Sequence, residues 1–561
     1  MQNGRLVAPA DFTEPGLRKP SPILCAVSFV AVLALVDFIF FRAQILNGFS
    51  LLFGDQFDGV IENALLEHWY NVLRGLESWS DVLYFYPYHD TLGYNDGYLI
   101  YGLIGSVFRS LGFDPFLSSE LVNVTIKSIG FFGFFLVCRR PLLLTCPWSL
   151  FGASLFTLSH SSFMHALHQQ LLSVSFAPVE AFLICETVAS LRERRQFRSI
   201  AYGGASALLL GAWLLTAYYM AWFFCFFGST FLVAIALVAR KGIASDVPAI
   251  LRRERKPLAI IGLLTALCLT PFLLTYIPKI GETGMHKFSE ALPLAPRLTD
   301  VVQLGSGNFL FGRLYSALLP VICMNCREVF SELATGMAPI LMVLFCAAAV
   351  WQFRTQQGLL LCGIALAVLV TWVLCLRFGG VTAWYLVYHL VPGAQGIKAV
   401  SRYQIFLAAP VVAIVTCYLS SLSRRLPRVA MILLCGVLLV EEINPPGVAL
   451  ARNDEMSRLS VPAPPHSCRS FFVLPGPDQN SPSPVKALYQ HDVDAMMTAE
   501  LVHLPTIDGF ATFRPLDSKF AYTNLPNYLR LVDDYVRDRK LSNVCELNLR
   551  TRRWQVRAVG Q

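Results

Sequence analysis

PILCAVSFVAVLALVDFIFF, residues 22–41, is followed a dozen residues later by GDQFDGVIE, residues 54–62, and this pair of segments decides the fold. The first is twenty residues long with a single charge, Asp37, which is long enough to cross a lipid bilayer as a helix. Its apolar run is too long for a signal peptide and no A-x-A-like cleavage site follows, so it reads as an uncleaved first span. Arg5, Arg18 and Lys19 precede it, which places residues 1–21 in the cytoplasm and sends the acidic segment to the outer side.

The whole chain carries the same signal. Its 561 residues are 55% hydrophobic and 15% charged, with mean hydropathy +0.54. Soluble domains carry about 25% charged residues. Disorder and collagen-like repeats are excluded by the apolar content and by the lack of a glycine period. The net charge of +8 sits in short basic segments between apolar runs, the positive-inside pattern, and not in a nucleic-acid-binding stripe with interleaved aromatics. Most of the fifteen cysteines, including Cys25, Cys138, Cys185, Cys225, Cys268, Cys346, Cys375, Cys417 and Cys435, lie in apolar runs as small hydrophobes.

Further apolar segments fall at 98–112, 116–138, 147–164, 169–190, 200–217, 218–239, 257–278, 336–353, 357–377, 403–421 and 427–443. The basic loops at Arg139–Arg140, Arg192–Arg198, Arg240–Lys256, Arg354 and Arg424–Arg428 all face the cytoplasm only if 98–112 does not cross fully. The expected fold is an all-α polytopic membrane protein of about 11 transmembrane helices, within a range of about 10–13. Loops 42–97 and 279–335 and everything after residue 445 then lie outside. Pro445, Pro446, Pro462, Pro464 and Pro465 mark a linker, dividing a transmembrane domain, 22–444, from a small C-terminal α/β domain, 445–561. That domain reads as a strand at Ser470–Leu474, helices at Asp492–Val502 and Asn524–Lys540, and strands at Val544–Leu549 and Trp554–Val559. Cys468 and Cys545 are there either a disulfide or two free core thiols. Cys323-Met-Asn-Cys326 lacks the partners of a metal or redox motif.

Candidate chemistry concentrates outside. From residue 54 to 96 stand eight acids, Asp55, Asp58, Glu62, Glu67, Glu77, Asp81, Asp90 and Asp96, against one base, Arg74. If this stretch is helical, Asp55, Asp58 and Glu62 share one face and Phe57, Val60 and Ile61 cover much of another, as in a helix lying at the membrane surface. Carboxylates there can accept a proton from an attacking hydroxyl or hold a divalent cation, Mg or Mn being the cofactor to expect. The plain alternative is a solvated acidic loop. Tyr84–Tyr98 is dense in aromatics that suit a membrane interface or a sugar ring, with His89, Asp90 and Asp96 as binding candidates. His165 and His168 lie at i, i+3 and can converge on one ligand, although no H-E-x-x-H metal motif is present. Lys398 and Arg402, at i, i+4 on the outer side, are placed to bind a lipid phosphate or to anchor headgroups.

A first span, an acidic outer loop opening Gly54-Asp55-Gln56-Phe57-Asp58, and the Tyr86-Pro87-Tyr88 to Asp96 segment together resemble integral-membrane glycosyltransferases of the GT-C type, most of all bacterial YfhO-like multi-pass proteins. Gly396-Ile397-Lys398-Ala399-Val400-Ser401-Arg402 resembles a late G-[IL]-[RK]-x-x-x-R element of such proteins. Val493–Met496 and Pro505–Phe510 resemble segments of their tails. The resemblance implies a polyprenyl-phosphate sugar donor and an acceptor in the cell envelope. It implies an essential acid at Asp55 or Asp58, and Lys398 and Arg402 on the departing phosphate. It places the chain in a bacterial inner membrane, N-terminus cytoplasmic and C-terminus periplasmic, among membrane lipids and without nucleic acid. The sequence departs from the resemblance in having Asp-Gln-Phe-Asp in place of adjacent acids or D-x-D. The rival is a non-enzymatic translocator or export component, for which the sequence lacks the internal repeats usual in transporters.

Overall fold

The computed structural model describes residues 21–165, 167–238, 248–322, 331–355, 358–445, 447–474, 484–518 and 527–557. Among them are seven helices long and apolar enough to cross a membrane, at 22–40, 115–139, 169–192, 196–216, 218–238, 255–283 and 400–422. Shorter apolar helices stand at Leu99–Ser110, Cys146–Thr157, Pro339–Thr355, Leu359–Cys375 and Arg428–Glu441. The chain is a multi-pass, mostly helical membrane protein. Local sequence starts these helices cleanly. Ser21 accepts a hydrogen bond from the Leu24 amide ahead of Pro22, and Asp114 accepts one from the Leu117 amide ahead of Pro115. The 12-residue Leu99–Ser110 helix measures about 18 Å, well short of a bilayer core.

The acidic segment is not an open polar loop. Asp58–Leu73 is a helix buried along nearly its whole length, packed between the 99–110 helix and the Pro484–Val502 helix of the tail. It therefore does not lie on a membrane surface, and the reason is that its polar face finds protein partners. Glu67 takes a bidentate pair from Arg109 at 2.8 Å, and Glu62 accepts from the Tyr98 hydroxyl at 2.9 Å. Gly102 lets the neighbouring helix close onto it, for a Cβ there would stand 2.3 Å from the Trp69 ring.

The three segments expected on one side do assemble at one end of the bundle. Leu51–Phe53 pairs antiparallel with Val448–Ala451, which ties the start of the tail to the segment after the first helix. The Phe85 and Tyr86 amides donate to the Asp508 and Thr506 carbonyls, and Tyr94 donates to Glu282 at 2.7 Å. In the tail, Ser470–Leu474 runs parallel to Val544–Asn548, which pairs antiparallel with Arg553–Val556. Helices Pro484–Val502 and Tyr528–Asp538 flank this sheet. The sequence expects the first of these helices at Asp492–Val502, and the structure starts it eight residues earlier, at Pro484.

Cys468 and Cys545 are joined as a disulfide. Cys25 is not the free apolar thiol the sequence implies: it bonds to Cys146, 121 residues away, because the first helix packs along the Cys146–Thr157 helix and brings the Cα atoms to 6.2 Å. Cys138, Cys185, Cys225, Cys268, Cys346, Cys375, Cys417 and Cys435 are free. Cys323 and Cys326 lie outside the described residues.

Candidate active site

The candidate loop is shaped by its own backbone and braced from the tail. Asp55 precedes the 58–73 helix and accepts from the Phe57 amide at 2.9 Å, forming a tight turn. Gln56 donates to Glu455 at 2.7 Å, and Arg458 links Glu455 to Asp494. The Phe57 ring meets Phe510 at 4.9 Å. Both tail segments singled out in the sequence, 493–496 and 505–510, therefore back this loop.

From Asp58 a chain of alternating charge crosses the site. Asp58 Oδ2 lies 2.9 Å from His168 Nδ1, and His168 Nε2 lies 3.0 Å from Glu332 Oε1. Glu332 takes a bidentate pair from Arg402 Nε at 3.0 Å and Nη2 at 2.8 Å. The Arg402 guanidinium in turn sits over the Tyr219 ring, 5.4 Å from its centre. Burial and the Arg402 charge would lower the His168 pKa, but its bonds to two carboxylates outweigh them and raise it to about 9. Glu332 is drawn upward by burial and further downward by Arg402 and His168, so its carboxyl stays well below the usual range. The result is a protonated histidine held between two carboxylates.

Around this chain stand more acids. Burial, and next the Asp58 charge, raise the pKa of Asp55. Glu62, one turn beyond Asp58, also accepts from the Gln169 amide at 2.9 Å, and burial carries its pKa well above normal. Half-buried Asp96 accepts from the Tyr218 amide at 2.8 Å; desolvation raises its pKa to about 6, opposed by that bond and by Arg402. His165 is buried beside His168, ring centres 6.5 Å apart, and burial lowers its pKa to about 3.

The other candidate residues have different surroundings. The short helix ends at Met164, and of His165 and His168 only His168 reaches the carboxylates. Lys398 and Arg402 do not share a face: residues 400–402 form a 3₁₀ turn preceded by extended backbone, so Lys398 is exposed while Arg402 points inward. His89 and Asp90 are exposed and engage Asp81, and the His89 carbonyl accepts from Lys279 at 2.8 Å. Glu332 was not singled out in the sequence. No spacing motif marks it; the sole signal is an acid at the junction with the apolar run beginning at 336.

A groove of about 890 Å³ runs between the 218–238 and 255–283 helices. Val233, Ile277 and Ile280 line its length, and Asp96, Tyr219 and Lys279 its polar end. Tyr219 thus joins the groove to Arg402 and the charged chain. The Mg or Mn expected from the acids finds no convergent site here. Among the described residues, the one group of three or more ligand atoms within 4.8 Å of one another is His68, Glu77 and Glu500, and in the charged chain His168 separates the two carboxylates.

No family model matches the chain, and no curated protein matches it. Three solved structures align with most of its length. An arabinofuranosyltransferase, AftD, from Mycobacteria aligns over 94% of this chain with TM-score 0.49 and 14% identity. The oligosaccharyltransferase AglB from Archaeoglobus fulgidus, in complex with an inhibitory peptide and a dolichol-phosphate, aligns over 93% with TM-score 0.49 and 12% identity. The A. fulgidus oligosaccharyltransferase in complex with Zn and sulfate aligns over 92% with TM-score 0.46 and 12% identity. The chain spans 35% of the arabinofuranosyltransferase, and 69% and 67% of the two oligosaccharyltransferase chains. The likeness is one of chain path.

Proposed function

We propose that the protein is an inverting membrane glycosyltransferase that takes a sugar from a polyprenyl-phosphate donor and passes it to a lipid, glycan or polymer acceptor of the cell envelope. The observation that carries this reading is the continuity of an apolar groove with the chain Arg402–Glu332–His168–Asp58. The isoprenoid tail lies in the groove, and the phosphate sits at its polar end. Two cations serve it there: Arg402, through the edge of its fork that Glu332 does not engage, and the His168 imidazolium. Lys398, exposed on the same connection, meets the approaching headgroup. Asp55, made more basic by its surroundings, takes the proton of the acceptor hydroxyl as the new bond forms at the anomeric carbon and the bond to phosphate oxygen breaks. Asp58 orients His168.

The same reading places this end of the bundle on the periplasmic face of a bacterial inner membrane, where a lipid carrier must bring the activated sugar. It also takes in the YfhO-like subtype. No step is routed through a metal. The test is label transfer from a panel of polyprenyl-phosphate sugars in reconstituted vesicles, comparing wild type with folded Asp55→Asn and Asp58→Asn. Transfer or hydrolysis of one donor by wild type, with a loss of at least about 100-fold in Asp55→Asn, supports the reading. A donor that binds and crosses the bilayer without reacting would replace it with the translocator.

A further inference from the structure

Away from the charged chain, the first outer segment meets the tail at a buried cluster. His68, Glu77 and Glu500 bring ligand atoms within 4.8 Å of one another, and His68 and Glu77 side chains are 0% and 3% exposed. His68 Nδ1 faces Glu77 Oε2 at 2.8 Å, while Nε2 lies 3.3 Å from the Trp79 carbonyl. His503, three residues after Glu500, holds Nδ1 3.7 Å from Glu77 Oε1 and is part-exposed, giving the cluster a solvent side. The Asn71 amide nitrogen donates into the cluster, to Glu77 at 2.9 Å and Glu500 at 3.3 Å. Its carbonyl oxygen is buried and has no partner among the described residues.

We propose that His68, Glu77, Glu500 and His503 form a binding site for a divalent metal ion of the zinc type, which ties the tail to the first outer segment. The donor set is two imidazoles and two carboxylates, apt for four-coordinate zinc at about 2.0–2.2 Å. Ligand atoms around such an ion stand about 3.3 Å apart, so side-chain shifts of about an ångström close the site. The Trp79 carbonyl fixes the His68 tautomer through Nε2 and leaves Nδ1 to bind, the usual outer-shell arrangement for a ligating histidine. The Leu83 amide steadies Glu500 at 3.1 Å. Charge points the same way: two carboxylates buried side by side require a proton or a cation between them.

The test is metal content by mass spectrometry on the full chain in detergent, after dialysis against a chelating resin and back-titration with ZnCl₂. Wild type should retain one zinc per chain and Glu500→Gln less than about a tenth of that. His503→Ala should bind about 10- to 100-fold more weakly by chelator competition. EDTA should lower the melting temperature of wild type to that of Glu500→Gln and leave the variant unmoved. Asp58→Asn and His168→Gln should keep their zinc, which separates this site from the proposed active site. If Glu500→Gln does not fold, His503→Ala decides. The proposal is overturned if wild type retains no metal and neither Zn²⁺, Mn²⁺ nor Ca²⁺ raises its stability, for the carboxyls then share a proton. It is equally overturned if the ion is lost in Asp58→Asn and kept in Glu500→Gln.

Discussion

Replacing His168 by Gln removes the one cation between Asp58 and Glu332 while keeping a side chain that hydrogen-bonds. An isolated histidine titrates near 6.5 and His168 near 9, so the folded protein holds its proton about 300-fold more tightly than the unfolded chain, corresponding to about 3 kcal/mol. Because the folded pKa is the higher one, that stabilisation is complete below pH 6.5 and drains away as pH rises through about 9. Wild type should therefore lose about 2–3 °C of thermal stability between pH 6 and 10 beyond what His168→Gln loses. The assay is melting in detergent across that range, scored as the difference between the two proteins, which cancels the tyrosines, cysteines and lysines they share. Parallel pH profiles would show that His168 is not held as an imidazolium, and the phosphate-binding role assigned to it would fall with that.

Three further perturbations probe other parts of the molecule. Gly102→Val drives side-chain atoms into the Trp69 ring and should cost about 1–3 kcal/mol, read as a lower melting temperature that Trp69→Leu partly restores. Cys468→Ser with Cys545→Ser opens a cross-link of 77 residues and should destabilise the tail by up to about 4 kcal/mol, measured by proteolysis of the tail with and without reductant. Val233→Trp fills part of the groove away from the charged chain. It should raise KM at least about 10-fold for long polyprenyl donors and little for short-chain analogues, and equal effects on both would place the tail elsewhere.

Much of this protein is legible in one dimension. A bilayer core imposes about twenty apolar residues on a spanning helix, so hydropathy alone marks the helices, and the period-2 and helical patterns of the tail mark elements at Ser470–Leu474, Asp492–Val502, Asn524–Lys540 and Val544–Leu549. Asp55, Asp58, Glu62, Asp96, His168 and Arg402 stand out because acids in a short outer segment and bases against the positive-inside trend are local anomalies of charge. Which of them meet is not a local property. Glu332 joins the chain from 164 residues beyond His168, and Arg402 reaches it because a 3₁₀ turn, not an α-helix, sets its direction. The Asp58–Leu73 helix carries a surface-helix pattern yet is buried, since Arg109, Tyr98 and the tail satisfy its polar face. Cys25 and Cys146 pair for the same reason that His68 and Glu500 do. Helix packing brings together side chains more than a hundred residues apart, and nothing in their local patterns records that proximity.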